Sequence, residues 1–291
     1  MLLLPAAAGQ YIGSAACGKC HPKQYAEQSK SGHARSLSRA REHPLASRFP
    51  GTPGEWAFGA GDQAITFVSR TGKEFYIEHG LSYYARSKSM ALTPGHSSDA
   101  GVRYRTFDPD AAILRCFQCH STGPLRMDND GGIVPSEAGV RCETCHGPGE
   151  GHAQSKAPIH NPKRMSAVEV NDFCGACHRK VSGPEEFTNW NDPWNTRHQP
   201  LYLAQSRCFL KSSGRLSCFT CHTPHSPVSR SADLYSSQCR SCHEMPRHKT
   251  NIGSQACTTC HMPAVKLNEN LRFANHWIGV FGKGQTLRPV R

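Results

Sequence analysis

The sequence predicts a mainly α-helical protein with much irregular loop, and two observations lead to that fold class. Only 37% of its 291 residues are hydrophobic, and it contains 26 glycines and 20 prolines. That composition is thin for a conventional apolar core and favours short helices joined by loops. The second observation is a motif, Cys-x-x-Cys-His, that occurs seven times and uses fourteen of the fifteen cysteines. We therefore expect the fold to be organised by whatever the seven motifs hold.

Cys-x-x-Cys-His is the attachment signature of a c-type haem. Each thiol can form a thioether with one haem vinyl group, while the histidine is held against one face of the iron. Zinc ribbons and disulfide frameworks are the alternatives, but neither requires a histidine directly after each cysteine pair. We therefore predict seven covalently attached haem c groups. Numbered 1 to 7 in chain order, the motifs have the attachment cysteines Cys17, Cys20, Cys116, Cys119, Cys142, Cys145, Cys174, Cys177, Cys218, Cys221, Cys239, Cys242, Cys257 and Cys260. Their iron-binding histidines are His21, His120, His146, His178, His222, His243 and His261.

The uneven spacing of the motifs predicts how the chain is divided. Residues 51–110 contain no motif, and within them the runs ITFVS and EFYIE flank a four-residue loop that contains glycine. Alternating residues on both sides of such a loop predict a β-hairpin. We expect a small β-rich insertion there, packed over the haems. The other predicted segments are a residual leader (1–10), the first haem motif with a helix (11–50), a six-haem region (111–282) and a basic, poorly ordered tail (283–291).

Helices are expected to be short and close to the motifs. Pro22 suits a first helical turn, and the sequence predicts a helix from there to Ala40. Ser166 and Glu169 form a capping-box pattern, which predicts a helix over residues 166–180. Two further predicted helices are residues 200–209 and 232–243.

The formal charge of +12 at neutral pH could indicate nucleic acid or an anionic membrane surface as a partner. Seven haems would bring fourteen propionates, however, and these would offset that charge. Much of the Lys and Arg excess is therefore expected to neutralise propionates. Since no aromatic-basic recognition motif accompanies the charge, we expect no nucleic-acid binding.

Haem is attached to this motif outside the cytoplasm in bacteria, so we expect a periplasmic or extracellular protein. The first ten residues, MLLLPAAAGQ, resemble the end of a signal peptide but have no basic n-region. No apolar run has the length of a transmembrane helix. The expected partners are redox proteins, either other cytochromes or a membrane quinol-oxidising complex, and a homo-oligomer or filament is left open.

Ten histidines lie outside the motifs, which is enough to give each of seven irons a second imidazole. Methionine, the alternative sixth ligand, is scarce. His225 follows His222 by three residues, and on a helix the two rings would point the same way. We therefore expect His225 to ligate a different, neighbouring haem. His152, six residues after His146, is a similar case.

Several segments resemble the exported multihaem cytochromes c. The matching segments are YIGSAACGKCH with SGHA, CETCHGPG with His152, CFTCHTPH, CTTCHMP and NHWI. The likeness runs over nearly the whole chain and is closest to the superfamily of the tetrahaem cytochrome of ammonia oxidisers and hydroxylamine oxidoreductase. It implies a mostly α-helical fold with stacked and perpendicular haem pairs. It also implies that His33, His152 and His225 are distal ligands, often of haems other than their sequence neighbours.

The residues and the resemblance together rank the ten remaining histidines. The preferred distal ligands are His33, His152, His225 and His276, and the further candidates are His96 and His248. The other four are expected at the surface or on propionates: His43, His79, His160 and His198. Cys208, the one cysteine outside the motifs, is expected to be a small buried side chain rather than a reactive thiol.

The leading functional hypothesis is a non-catalytic electron-transfer protein with a chain of closely spaced, mostly bis-histidine haems. One alternative is a multihaem reductase or oxidase of small nitrogen or sulfur compounds, in which one iron keeps an open side. Another is a subunit of an extracellular cytochrome filament. The sequence has seven motifs where the best-known enzymes of the superfamily have five or eight. It also lacks the Cys-x-x-Cys-Lys motif of the pentahaem nitrite reductases.

Overall fold

The structure is a computed structural model that describes residues 9–49, 51, 54–106, 112–179, 189–243, 248 and 253–290. The chain divides into two compact units, Met1–Pro162 with Pro224–Pro227, and Lys163–Thr223 with Val228–Arg291. The division falls inside the segment predicted as a six-haem region. The predicted leader lies almost wholly outside the described residues. Helices make up 33% and strands 20% of the structure, which is more strand than a single hairpin supplies.

The first unit is built around a six-stranded antiparallel sheet. Its strands follow the order β1-β2-β3-β4-β5, and β6 pairs with the first half of β4. The strands are β1 (Leu37–Arg39), β2 (Trp56–Phe58), β3 (Ala64–Thr71), β4 (Phe75–Tyr84), β5 (Ser89–Leu92) and β6 (Val102–Arg105). The predicted hairpin is confirmed as β3 and β4, with Thr71 opposite Phe75, so its loop has three residues rather than four. The predicted insertion therefore supplies five of the six strands of a sheet, β2 to β6, rather than a small hairpin.

An aromatic core connects this sheet to a haem motif. Helix α3 (Ala112–His120) carries motif 2, and Phe117, between its two cysteines, is fully buried. The Phe117 ring packs edge-on against Trp56 at 5.6 Å, Phe58 at 5.0 Å and Tyr76 at 6.2 Å between centroids. Edge-to-face pairs of this kind add to the stability that burial alone gives. The sheet therefore fixes the position of motif 2.

The rest of the first unit consists of short helices and one more hairpin. These elements are α1 (Ser14–Gly18), α2 (Pro22–Gln28), β7 (Ser121–Met127), β8 (Ile133–Ala138), α4 (Cys142–His146) and α5 (Glu150–Ser155). The predicted helix to Ala40 is wrong, because α2 ends at Gln28. Beyond it the chain turns, and the Gln28 side chain and the His33 carbonyl both hydrogen-bond to the backbone of Val140. These long-range bonds take the place of the next helical turns.

The second unit is mainly helical. Its elements are α6 (Ala167–His178), α7 (Gln199–Leu203), α8 (Arg207–Lys211), α9 (Cys218–Cys221), α10 (Ala232–Arg240), α11 (Cys257–His261), β9 (Ala264–Lys266) and β10 (Arg272–Ala274). The capping box is confirmed, with both Ser166–Glu169 hydrogen bonds present. The helix predicted over residues 200–209 is instead two helices, α7 and α8, and α10 ends three residues before the predicted end.

The C-terminal tail is ordered, contrary to the prediction. The buried Asn275 side chain donates hydrogen bonds to the carbonyls of Thr286 at 2.7 Å and Leu287 at 3.0 Å. The amide of Val290 donates to the carbonyl of Val280 at 2.7 Å. These bonds fold the segment back on the second unit as far as residue 290. None of the described helices is both long and apolar enough to cross a bilayer.

Candidate haem-binding sites

All seven motifs lie on a helix or at the end of one, and none of the fifteen cysteines is in a disulfide. A single helical turn places the two cysteines of a motif and its histidine on neighbouring positions, which is the arrangement that one porphyrin requires.

Four motif histidines each pair with a histidine from outside the motifs at nearly the same distance. The ring centroids are 6.3 Å apart for His21 and His152, 6.0 Å for His146 and His225, 6.2 Å for His222 and His276, and 6.2 Å for His261 and His248. A metal ion lies about 2.0 Å from an imidazole nitrogen that is about 1.1 Å from its ring centroid, so two axial imidazoles have centroids about 6.2 Å apart. The four pairs therefore have the spacing of two imidazoles that share one iron.

The second ring nitrogen of the candidate ligands supports the same assignment. A metal-binding histidine usually donates its other N–H to a carbonyl or carboxylate, which fixes the ring and leaves one nitrogen for the metal. Nδ1 lies 2.8 Å from a backbone carbonyl oxygen in His146, His152 and His261, and 3.0 Å in His120 and His276. Nε2 is therefore the nitrogen available to iron in these five residues.

The surroundings of these rings favour neutral imidazole, which is the form that binds metal. Burial, and then the neighbouring His222 ring, lower the pKa of His276 to about 4. Burial also lowers the pKa of His120 and of His222, and burial together with His146 lowers that of His225. Each ring can thus coordinate iron without first losing a proton at neutral pH.

The pairs cross between motifs. His152 follows motif 3 in the sequence but lies by His21 of motif 1, and His225 follows motif 5 but lies by His146 of motif 3. Both placements agree with the sequence prediction. The reason given for His225 was wrong, however, because α9 ends at Cys221 and His222 is already in extended backbone.

Two of the remaining histidines have contacts that the sequence did not predict. His43 is 3% exposed rather than at the surface, and both of its ring nitrogens are used within the protein. Its Nε2 is 3.2 Å from the Gly59 carbonyl oxygen, and the amide of Leu45 donates to its Nδ1 at 3.0 Å. The His79 Nε2 is 2.8 Å from the Ser69 hydroxyl. Neither ring is arranged as an Nε2 ligand.

His96 also differs from the expected arrangement. Its side chain is 5% exposed, and its Nε2 lies 3.4 Å from a carboxylate oxygen of Glu78, which also accepts a hydrogen bond from the Tyr104 hydroxyl at 3.1 Å. The carboxylate occupies the nitrogen that would otherwise bind iron. Three histidines outside the motifs remain: His33, His160 and His198. The backbone carbonyl of His160 accepts the hydrogen bond from Nδ1 of His146. His33 and His198 remain predictions.

Three pairs of motifs adjoin through their first cysteines. The side chains in hydrogen-bonding reach are Cys17 with Cys142, Cys174 with Cys218, and Cys239 with Cys257. Because each first cysteine fixes one edge of a porphyrin, motifs 1 and 3, 4 and 5, and 6 and 7 present neighbouring attachment points.

Sequence reasoning missed the buried carboxylate of Glu143, which lies between the two cysteines of motif 3. It accepts backbone hydrogen bonds from Ile12 at 3.0 Å, Gly13 at 2.8 Å and Gly149 at 2.7 Å. It thereby connects the segment before motif 1 to motif 3. In the sequence, the only sign of this role is that an acidic residue stands between the two attachment cysteines of motif 3.

Cys208 is half-buried on α8, and burial raises the pKa of its thiol. A raised pKa keeps the thiol protonated, so it does not have the character of a reactive cysteine. This agrees with its predicted role as a small packing side chain.

Comparisons with known proteins show which proteins the chain is similar to. The family model described as "Cytochrome c554 and c-prime" matches residues 82–147, which include motifs 2 and 3. The multiheme cytochrome MtrA of Shewanella baltica (strain OS185) is 24% identical in an alignment of 167 residues that covers 51% of this chain and 45% of that protein. The chain thus spans about half the length of the curated relative it matches.

Solved structures agree on the fold. The outer cell wall cytochrome OcwA has a TM-score of 0.60 at 15% identity, over 92% of this chain and 79% of that one. An undecaheme cytochrome from the S-layer of Carboxydothermus ferrireducens has a TM-score of 0.50 at 17% identity, over 88% and 45%. In motifs, matches and fold, the chain is similar to multihaem c-type cytochromes, a class that binds haem c covalently.

Proposed function

We propose that this chain is an exported electron-transfer protein that holds seven covalent haem c groups and passes electrons along them. The observation that carries the proposal is the set of four histidine pairs at 6.0–6.3 Å, each joining a motif histidine to one from elsewhere in the chain. Bound haem would supply one-electron redox chemistry, and the chain supplies ligands, spacing and surroundings.

Two imidazoles on one iron leave no open position for a substrate. This arrangement favours electron transfer over a reductase or oxidase at the haems of motifs 1, 3, 5 and 7. Bis-histidine irons also have lower potentials than those with histidine and methionine. The non-catalytic role predicted from the sequence is therefore the one that the four pairs support.

The adjoining cysteines support an order for the haems. Haems attached at neighbouring points have neighbouring edges, so the proposed close pairs are those of motifs 1 and 3, 4 and 5, and 6 and 7. The crossed ligands add to this order, because the segments that follow motifs 3 and 5 would supply axial ligands to the haems of motifs 1 and 3.

The proposed location is the periplasm or the cell exterior. The names of two similar structures place those proteins in an outer cell wall and an S-layer. We propose other cytochromes or a membrane quinol-oxidising complex as redox partners. Assembly into a filament and the relation to hydroxylamine oxidoreductase stay predictions.

Magnetic circular dichroism in the near infrared, combined with EPR of the oxidised holoprotein, tests this proposal. We expect the charge-transfer signature of low-spin bis-imidazole iron for at least four of the seven irons. Cyanide, nitrite and hydroxylamine should leave those signals unchanged because no coordination position is open. A mainly high-spin spectrum that responds to these ligands would show that the protein is not an electron carrier of this kind.

A further inference from the structure

Residues 206–216 form a segment that lies mostly at the surface. One end contacts the loop of His276, and the other contacts motif 5, whose histidine is His222. We call it the crossing segment. At its start the Ser206 hydroxyl donates a hydrogen bond to the carbonyl of His276 at 2.9 Å and accepts one from the amide of Ile278 at 2.8 Å. Its first residue is thus fixed to the loop that carries the non-motif imidazole of this site.

The other end of the crossing segment is fixed to motif 5 itself. The Arg215 carbonyl accepts a hydrogen bond from the Thr220 hydroxyl at 3.4 Å, and Thr220 lies between the two attachment cysteines. The amide of Leu216 donates to the Ser212 hydroxyl at 3.2 Å, which holds the turn. The segment therefore covers the rim of this haem site, with one end at His276 and the other beside the motif of His222.

The inner face of the segment carries Cys208, which is half-buried. Arg207, Leu210 and Lys211, spaced by three and four residues, share one side of the helical turn. That side is directed outward, since Arg207 and Lys211 are exposed and Leu210 is 64% exposed.

The outward face is basic, and the stretch of sequence around it contains no acid. Residues 193–232 contain five Lys or Arg and no Asp or Glu. Across the described part of the chain, the ion pairs do not include Arg207, Lys211 or Arg215. The Arg215 Nε donates to the Ser212 carbonyl at 3.2 Å, which holds the guanidinium beside the motif.

These cations are badly placed to neutralise the propionates of the haem that they surround. In haem c the thioether bonds form on the former vinyl groups, at the edge of the porphyrin opposite the two propionates. Because the Arg215 carbonyl contacts Thr220, which lies between the two attachment cysteines, the crossing segment lies at the edge that carries no charge of its own. An unpaired basic rim with an exposed apolar residue at its centre has the composition of a docking site for a protein with acidic groups.

We propose that the crossing segment is the surface at which an acidic redox protein docks to exchange electrons with the haem of motif 5. This inference rests on the electron-transfer function proposed above. Leu210 makes the apolar contact at the centre of the interface. Arg207, Lys211 and Arg215 attract the acidic partner and fix its orientation.

The test uses the holoprotein with reduced flavodoxin, an acidic one-electron donor, in stopped-flow experiments. The variant is Arg207→Glu/Lys211→Glu/Arg215→Glu. The matched control is Arg164→Glu/Lys266→Glu/Lys283→Glu, which makes the same change in net charge at exposed positions of the same unit outside the segment. At low ionic strength we expect the variant to be reduced at least about tenfold more slowly than the control. The difference should disappear near 1 M salt, where the screening length is about 3 Å.

Protein-film voltammetry separates the possible failures. The docking proposal predicts unchanged haem content, and midpoint potentials in the variant that match those of the unsubstituted protein once about 1 M salt screens the exposed charges. Potentials that stay shifted at that salt concentration would show that the three cations serve propionates, and they would overturn the proposal. Equal reduction rates of variant and control, with intact voltammetry, would also overturn it and leave the electron-transfer function standing. Voltammetry without reversible haem waves in the unsubstituted protein would instead contradict the proposed function.

Discussion

Replacing His225 with alanine should convert one of the seven ferric irons from low spin to high spin. His225 lies 6.0 Å from His146 between ring centroids and belongs to the four-residue excursion Pro224–Pro227, which is part of the first unit. Without its imidazole the iron of motif 3 keeps only the motif histidine, and a five-coordinate ferric haem is high spin. EPR and the near-infrared dichroism spectrum of the purified holoprotein measure the change as about one seventh of the total iron.

His43→Ala is the matched control. His43 is another histidine of the first unit, but it is buried and both of its ring nitrogens are bonded to backbone groups. Its removal should destabilise the protein while leaving the spin state of every iron unchanged. If His225→Ala also leaves the spin states of the unsubstituted protein unchanged, with a normal haem content, His225 is not an axial ligand and the crossed arrangement is wrong.

Replacing Glu143 with alanine should lower the free energy of unfolding by about 3–5 kcal/mol. The carboxylate is 2% exposed and accepts three backbone hydrogen bonds. A buried donor left without its partner costs about 1–3 kcal/mol. The donors at Ile12, Gly13 and Gly149 would all lose their partner, and because water can enter the vacated site we expect a total near the lower end of that sum. Chemical denaturation of the holoprotein, followed by tryptophan fluorescence and the Soret band, gives the difference.

Two further variants show whether the loss of stability is specific to the buried carboxylate of Glu143. Glu42→Ala removes a carboxylate that is 62% exposed, and it should change stability by no more than about 0.5 kcal/mol. Glu143→Gln keeps one acceptor oxygen and should fall between the two. A Glu143→Ala protein as stable as Glu42→Ala would mean that this carboxylate does not connect motif 1 to motif 3.

The features that the sequence predicted well depend on local chemistry. The motifs lie on helical turns because two cysteines and a histidine must reach one porphyrin. The Ser166–Glu169 capping box and the β3–β4 hairpin follow from residues within a few positions of each other. The sequence also predicted that His225 and His222 serve different sites, although the helical geometry given as the reason was wrong.

The features that it missed depend on contacts across long stretches of chain. β2 is buried on both faces, so it has no alternating pattern to reveal a strand. α2 ends at Gln28, whose side chain donates a hydrogen bond to the carbonyl of Val140, more than a hundred residues away. The C-terminal tail is held by hydrogen bonds from the Asn275 side chain. The His43 ring is held in the interior by its hydrogen bond with the Gly59 carbonyl. None of these partners could be identified from sequence spacing alone.

The central claim is that seven haems are covalently attached to this chain, and the pyridine haemochrome assay with intact-protein mass spectrometry tests it most directly. We predict seven haem c groups per mature chain and a mass increase equal to seven thioether-linked porphyrins. Far fewer than seven, with zinc or cystine found at the Cys-x-x-Cys-His motifs, would contradict the account.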